Sequence, residues 1–298
     1  MTTIEIRDVG PRDGLQSESP VAPGRRAALA SALAAAGLRH VEAASFVSPK
    51  AVPSMAGGDQ VFAALPRDHD VTWWALVPNA RGAELALAAG ADHVTVTVSA
   101  SDAYSRKNVG RSTDEALAGL VAIGEVLGGH VTIDVVVSCA FGSPFGDVDD
   151  ATAVSVVVER TVEALPAARI TLADTTGTAS PRRIAAVVAE LATPVRDDVG
   201  LHLHDTRGTA LVNALAAIDL GIVRFDTATG GLGGSPFAPG AGGNLATEDL
   251  VLMLDDLGHT TGIDLAAILD IARTLPELVG HPVPSRVSAA GPLPHFDS

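Results

Sequence analysis

Short β-rich runs alternate with longer Ala/Leu-rich stretches from the start of the chain to about residue 228. The first run, Ile4-Glu5-Ile6-Arg7-Asp8-Val9, alternates apolar and polar side chains with the period of two that marks a strand. Comparable runs lie at residues 40–44, 71–76, 93–98, 131–138, 169–174, 199–204 and 223–228. Between them, apolar residues recur at helical spacing over residues 24–36, 81–89, 114–127, 151–165, 181–191 and 209–220. Several of these stretches follow Ser, Thr, Asp or Asn, whose side chains accept from the free amides of a first helical turn. Gly37 and Gly90 stand just past two of them, where a residue in the left-handed region stops a helix.

Eight strands with helices between them predict an α/β protein, a closed (β/α)8 TIM barrel. A glycine-rich loop, residues 230–243, follows the eighth strand, and helices expected at 247–257 and 265–274 form extra C-terminal helices covering one side. No linker interrupts the alternation, so residues 1–298 read as one domain with a helical cover from about residue 247. A doubly wound open sheet is the rival architecture. Its dinucleotide-binding form needs a glycine spacing that the first turn, Val9-Gly10-Pro11-Arg12-Asp13-Gly14, lacks.

Composition narrows the function. Hydrophobic residues make up 47% of the chain and charged residues 18%, enough apolar side chain for a large core and unlike a disordered segment. A net charge of −15 with no basic stripe opposes nucleic acid as a partner, although a few arginines at a pocket still suit an anionic small molecule. No apolar run reaches the roughly 18 residues of a membrane span, and the N-terminus lacks a basic region followed by an apolar stretch. The expectation is a cytoplasmic protein without a membrane partner. Cys139 is the single cysteine, so a metal would be held by His, Asp, Glu or amide oxygen rather than by thiolates.

Barrel enzymes build their sites at the C-terminal ends of the strands, and three polar clusters fall there. Arg12-Asp13 follows strand one, His202-Leu203-His204-Asp205 ends strand seven, and a loop from Gly230 to Asn244 follows strand eight. Period-two alternation puts both imidazoles on one face with Leu203 on the other. An aspartate in such a turn also suits a cap, and either histidine also suits plain hydrogen bonding. Strands one, seven and eight are neighbours in a closed barrel, which lets Asp13, His202, His204 and Asn244 converge. Two imidazoles, a carboxylate and an amide oxygen favour Mg²⁺ or Mn²⁺, with Zn²⁺ or Co²⁺ as replacements.

Five segments together resemble the hydroxymethylglutaryl-CoA lyase family. They are Val9-Gly10-Pro11-Arg12-Asp13-Gly14-Leu15-Gln16, Ser45-Phe46-Val47-Ser48-Pro49-Lys50, Asp174-Thr175-Thr176-Gly177, His202-Leu203-His204-Asp205-Thr206 and Gly242-Gly243-Asn244-Leu245-Ala246-Thr247-Glu248-Asp249. The matches run in order through nearly the whole chain. The resemblance implies a carbon–carbon lyase of the metal-dependent TIM-barrel group, cleaving 3-hydroxy-3-methylglutaryl-CoA to acetyl-CoA and acetoacetate. It implies that Asp13, His202, His204 and Asn244 are metal ligands and that Arg12, Glu42 and Asp174 are further active-site positions. Arg12, Gln16, Ser45 and Asn108 are the expected substrate-binding residues, and a homodimer is the expected assembly.

The chemistry agrees with these residue types. Retro-aldol cleavage removes a hydroxyl proton and leaves charge on a departing enolate, which a divalent ion and Arg12 would stabilise. Glu42 suits an ion pair with Arg12, and Asp174 suits either proton relay or the capping of a turn. One position departs from the family: Ser235 stands where the family carries a cysteine that serves proton transfer to the enolate. Cys139 matches a different family cysteine and reads as a structural thiol. This change keeps open a related metal-dependent aldolase or synthase acting on another 3-hydroxyacyl-CoA or a 2-oxo acid. A Schiff-base aldolase fits less well, because Lys50 and Lys107 are the only lysines. A silent barrel has no need of a complete ligand set.

Overall fold

The computed structural model describes residues 2–67, 70–148, 150–234 and 243–291. All eight expected strands form: β1 Glu5–Asp8, β2 His40–Ser45, β3 Thr72–Leu76, β4 His93–Ser99, β5 Thr132–Ser138, β6 Arg169–Ala173, β7 Gly200–His202 and β8 Arg224–Thr227. Each pairs in parallel with the next and β8 pairs with β1, so the sheet closes into a (β/α)8 TIM barrel. The helices are α1 Pro23–Ala35, α2 Gly58–Ala64, α3 Ala80–Ala89, α4 Asp102–Val109, α5 Thr113–Leu127, α6 Ala151–Ala164, α7 Pro181–Glu190, α8 Thr193–Arg196, α9 Ala210–Asp219, α10 Thr247–Asp256, α11 Leu265–Val279 and α12 Arg286–Ala290. Four of them, α2, α4, α8 and α12, have no counterpart in the hydrophobic pattern, being short or polar. No helix among the described residues is long and apolar enough to cross a membrane.

Local chemistry explains where the long helices begin. The Ser112 hydroxyl accepts from the amide of Glu115 while the Glu115 carboxylate accepts from the amide of Ser112, a reciprocal cap at the start of α5. Asn79, Asp150, Ser180 and Asp264 cap α3, α6, α7 and α11 in the simpler one-way form.

The two faces of the strands differ in character. Outward residues such as Val94, Val135, Val137, Leu172, Leu201 and Phe225 join the inner faces of the helices in one apolar layer. The barrel interior is instead polar, where such barrels usually place bulky branched side chains. Arg7 of β1 reaches Thr95 of β4 and Asp226 of β8, and its guanidinium lies 4.6 Å from the centre of the Trp74 ring. One side chain meets all these strands only by crossing the interior.

Closure at the C-terminal end rests on Asp8. Its Oδ2 accepts from the Thr229 amide at 2.9 Å, the Thr229 hydroxyl at 2.6 Å and the Thr247 hydroxyl at 2.7 Å. The last residue of β1 thus ties the turn after β8 and the start of α10 together. Asp249 then fastens α12 to α10, accepting from the Ser285 hydroxyl and from the amides of Arg286 and Val287.

Candidate active site

The turn after β1 is one wide helical coil over Gly10–Gly14. The amides of Arg12, Asp13 and Gly14 all donate to the Val9 carbonyl, at 3.1, 2.7 and 3.2 Å. This overwide turn is a geometry frequent at functional sites. Pro11 suits its first positions, where an amide would have no partner. Gly10 has no room for a side chain, since a Cβ would stand 2.8 Å from Asp8 Oδ1. The coil delivers Arg12 and Asp13 above the strand ends.

Arg12 is buried between two carboxylates. Its Nε donates to Glu42 Oε2, and its Nη1 donates to Asp13 Oδ1 at 2.7 Å. Nη2 meets no acceptor among the described residues, and Glu42 Oε1 is buried without a partner. The ion pair expected between Arg12 and Glu42 is present.

β7 ends at His202, and the chain runs on through Leu203, which joins the outer apolar layer, to His204. Residues 243–246 return alongside: His204 bridges Asn244, and the Leu245 amide donates to the Leu203 carbonyl at 2.9 Å. The Nε2 atoms of His202 and His204 lie 3.1 Å apart, and Asp13 Oδ2 is 4.0 Å from His202 Nε2. Asn244 Nδ2 donates to Asp13 Oδ2 at 2.9 Å and to the Leu232 carbonyl at 2.8 Å. Gly233, at φ +110°, leaves the room for that amide which a Cβ would take. The four residues expected to converge do so.

The other expected positions are more dispersed. Asp174, just past β6, accepts on Oδ1 from the amides of Thr178 and Ala179, at 2.7 and 3.0 Å, while Oδ2 is buried without a donor. Ser45 closes β2 with its Oγ buried and unpartnered. Gln16 is half-buried beside Ser54, whose hydroxyl donates to the Gln16 carbonyl at 2.6 Å. Asn108 is exposed on α4. Ser235 lies outside the described residues. One neighbour of the site escaped the sequence reading: Asp226 of β8, whose Oδ2 lies 3.2 Å from His202 Nδ1. Its signal was the period-two pair Arg224 and Asp226 in a strand that should be apolar on both faces.

The HMGL-like family description matches residues 3–275. The (R)-citramalyl-CoA lyase of Chloroflexus aurantiacus is 42% identical over 98% of this chain and 96% of its own. The hydroxymethylglutaryl-CoA lyase of Pseudomonas mevalonii is 40% identical over 97% of each. This chain belongs to the HMGL-like family. A solved HMG-CoA lyase from Acenitobacter baumannii, in complex with coenzyme A and 3-methylmalate, shares the HMGL-like barrel with a TM-score of 0.92 at 40% identity, covering 98% of both chains. The HMGL-like chain is accordingly a carbon–carbon lyase, as its sequence motifs imply.

The resemblance implies a divalent ion, and the residues here fit one. Ligand atoms of Asp13, His202 and His204 all lie within 4.8 Å of one another. Asn244 Oδ1, beside them, is buried and meets no donor. A buried acceptor without a partner is costly, and a cation satisfies it. Burial and the adjacent His202 push His204 down to about 4. Burial alone would raise Asp13, but Arg12 and His202 hold it below the usual carboxylate range. A neutral imidazole and an ionised carboxylate are the states that ligation requires.

Proposed function

We propose that this lyase cleaves 3-hydroxy-3-methylglutaryl-CoA to acetyl-CoA and acetoacetate, with Mg²⁺ or Mn²⁺ held by Asp13, His202, His204 and Asn244. The observation that carries the reading is the convergence of these four with Arg12 and Glu42 at one end of the barrel. The nitrogen and oxygen donors also accommodate Zn²⁺ or Co²⁺ as replacements.

When bound, the ion supplies Lewis acidity toward the substrate oxygens. The protein's own groups account for the remaining steps. Arg12, clamped by Glu42 and Asp13, keeps Nη2 for the oxygen that gains charge as the carbon–carbon bond breaks. Asp174 is the acceptor for the hydroxyl proton: its Oδ2 is free, and burial pushes its pKa up to about 6, suited to proton exchange near neutrality. The electron pair of the broken bond passes to the acetyl α-carbon, which must then take a proton. Ser235 occupies the matching position of the family's proton-transferring cysteine. The unpartnered Ser45 hydroxyl, Gln16 and Asn108 are assigned to substrate binding. A single-domain, homodimeric, cytoplasmic enzyme belongs to the same reading, and light scattering on the purified protein measures its mass.

A second reading has its own support in Ser235 and in the 42% identity to an (R)-citramalyl-CoA lyase. Cleavage of that thioester would release acetyl-CoA and the 2-oxo acid pyruvate. Incubation with each thioester and Mn²⁺, followed by mass spectrometry for acetoacetate and pyruvate, separates the two. Acetoacetate as the faster product supports the first reading, and pyruvate alone overturns it.

A further inference from the structure

Asp226 and Arg7 take no part in the chemistry above, yet both are buried and both point at it. Arg7 Nε donates to Asp226 Oδ1 at 2.8 Å and Nη2 donates to Oδ2 at 2.9 Å, a two-pronged pair. The guanidinium is fixed from three further sides. Asp134 Oδ2 lies 2.9 Å from Nη2, the Thr95 hydroxyl accepts from Nη1 at 3.3 Å, and the Trp74 ring lies 4.6 Å away. Asp134 is itself held by the Thr171 hydroxyl, at 3.0 and 2.9 Å from its two oxygens. Beyond this array, Asp226 Oδ2 touches His202 Nδ1.

We propose that Asp226 is a positioning residue that fixes His202 in the tautomer with the proton on Nδ1, and that Arg7 compels it to do so. The inference rests on the metal reading given above. An ionised carboxylate only accepts hydrogen bonds, so the ring nitrogen facing Asp226 carries the proton and Nε2 keeps its lone pair for a ligand. The two prongs of Arg7 make the arrangement hard to imitate. An asparagine at 226 would set its NH₂ group against an N–H of Arg7 in one orientation. In the other it would set NH₂ against Arg7 Nη2 and donate to His202 Nδ1, forcing the proton to Nε2 where the ion must bind. Asp226, held by both prongs of Arg7, is thus the last contact between the polar barrel interior and His202, while Thr171 bonds only Asp134.

Two measurements test this. In nitrogen-15 spectra of the Zn²⁺-loaded wild-type protein, His202 should show a protonated Nδ1 and a coordinated Nε2; a proton on Nε2 overturns the proposal without any variant. Mn²⁺ affinity, read by electron paramagnetic resonance, should fall about 10- to 100-fold in Asp226→Asn. Thr171→Val, which loosens the same interior without touching Asp226, should lower the melting temperature and leave Mn²⁺ affinity within about twofold of wild type. Equal losses of affinity in both variants mean a merely structural role and overturn the proposal, as does an unchanged affinity in a folded Asp226→Asn protein. If wild type binds no Mn²⁺, the metal reading falls and takes this proposal with it.

Discussion

His202 and His204 face each other through their Nε2 atoms at 3.1 Å, both buried. Only one proton fits between two such nitrogens, and burial together with His202 keeps His204 uncharged near neutrality. With Asp13 beside them and Asn244 Oδ1 unsatisfied, the pair supplies the donors that the proposed cation requires.

The first prediction follows directly. Asp13→Ala, His202→Ala and His204→Ala each remove a proposed ligand, and each should bind Mn²⁺ at least roughly tenfold more weakly than wild type by calorimetry. Wild-type affinity in all three would sink the metal assignment.

Arg12→Lys should fold normally and lose turnover. Arg12 spans Glu42 with Nε and Asp13 with Nη1, leaving Nη2 free. A lysine supplies one point charge and cannot make three separate contacts in one plane. Loss of such a charge stabiliser typically costs about 10²–10³ in kcat. A kcat within about twofold of wild type on the better thioester would make Arg12 structural.

Much of the fold was legible because a parallel barrel writes each strand as a β-branched run and each helix as an Ala/Leu stretch. The C-terminal ends of those runs then pointed to Asp13, to the pair His202 and His204, and to Asn244, three separate stretches of sequence that are close in space. The interior was not legible in the same way. Arg7 and Asp226 are 219 positions apart, and nothing local to either tells that one fills the other's acceptors. Alternation in strand one put Arg7 on the polar face of its strand, and closure of the barrel places that face inward, where its charge is matched by Asp134 and Asp226. The overwide coil of Gly10–Gly14 was likewise readable only as a turn, because its hydrogen bonds to Val9 depend on Asp8 anchoring the strand end.

Glu248 offers a test of stability against pH. Its carboxylate is fully buried at the start of α10, accepting from the Gly230 amide at 3.1 Å on each oxygen, and burial pushes its pKa up to about 7. A raised carboxyl pKa means that the folded state holds the proton more tightly than the unfolded chain, whose glutamate titrates near 4.3. Stability therefore declines as pH rises from about 4.3 toward 7, and above 7 the full cost of a buried charge is present. Glu248→Gln removes that cost. The difference in melting temperature, variant minus wild type, should be more positive at pH 8 than at pH 4 by about 2 °C or more. A difference that does not change with pH would show that Glu248 titrates normally.

Ser235 separates the two substrate readings. It stands in Gly233-Gly234-Ser235-Pro236, the stretch that in the resembling lyases carries a proton-transferring cysteine. General acid catalysis of such a step is worth about 10²–10⁴-fold when the acid has a matched pKa. A thiol, with a pKa of about 8.5, gives up its proton near neutrality far more readily than a serine hydroxyl. If cleavage of 3-hydroxy-3-methylglutaryl-CoA is the native task, Ser235→Cys should raise its turnover about tenfold or more at saturating Mn²⁺. If citramalyl-CoA is the native substrate, serine is already suited to the reaction, and the same change should leave pyruvate release flat or lower. The discriminating measurement is kcat on both thioesters for wild type and Ser235→Cys. No acetoacetate from either protein, with Mn²⁺ binding confirmed and pyruvate released from citramalyl-CoA, would refute the hydroxymethylglutaryl assignment while leaving the retro-aldol chemistry of Arg12 and the metal-binding residues in place.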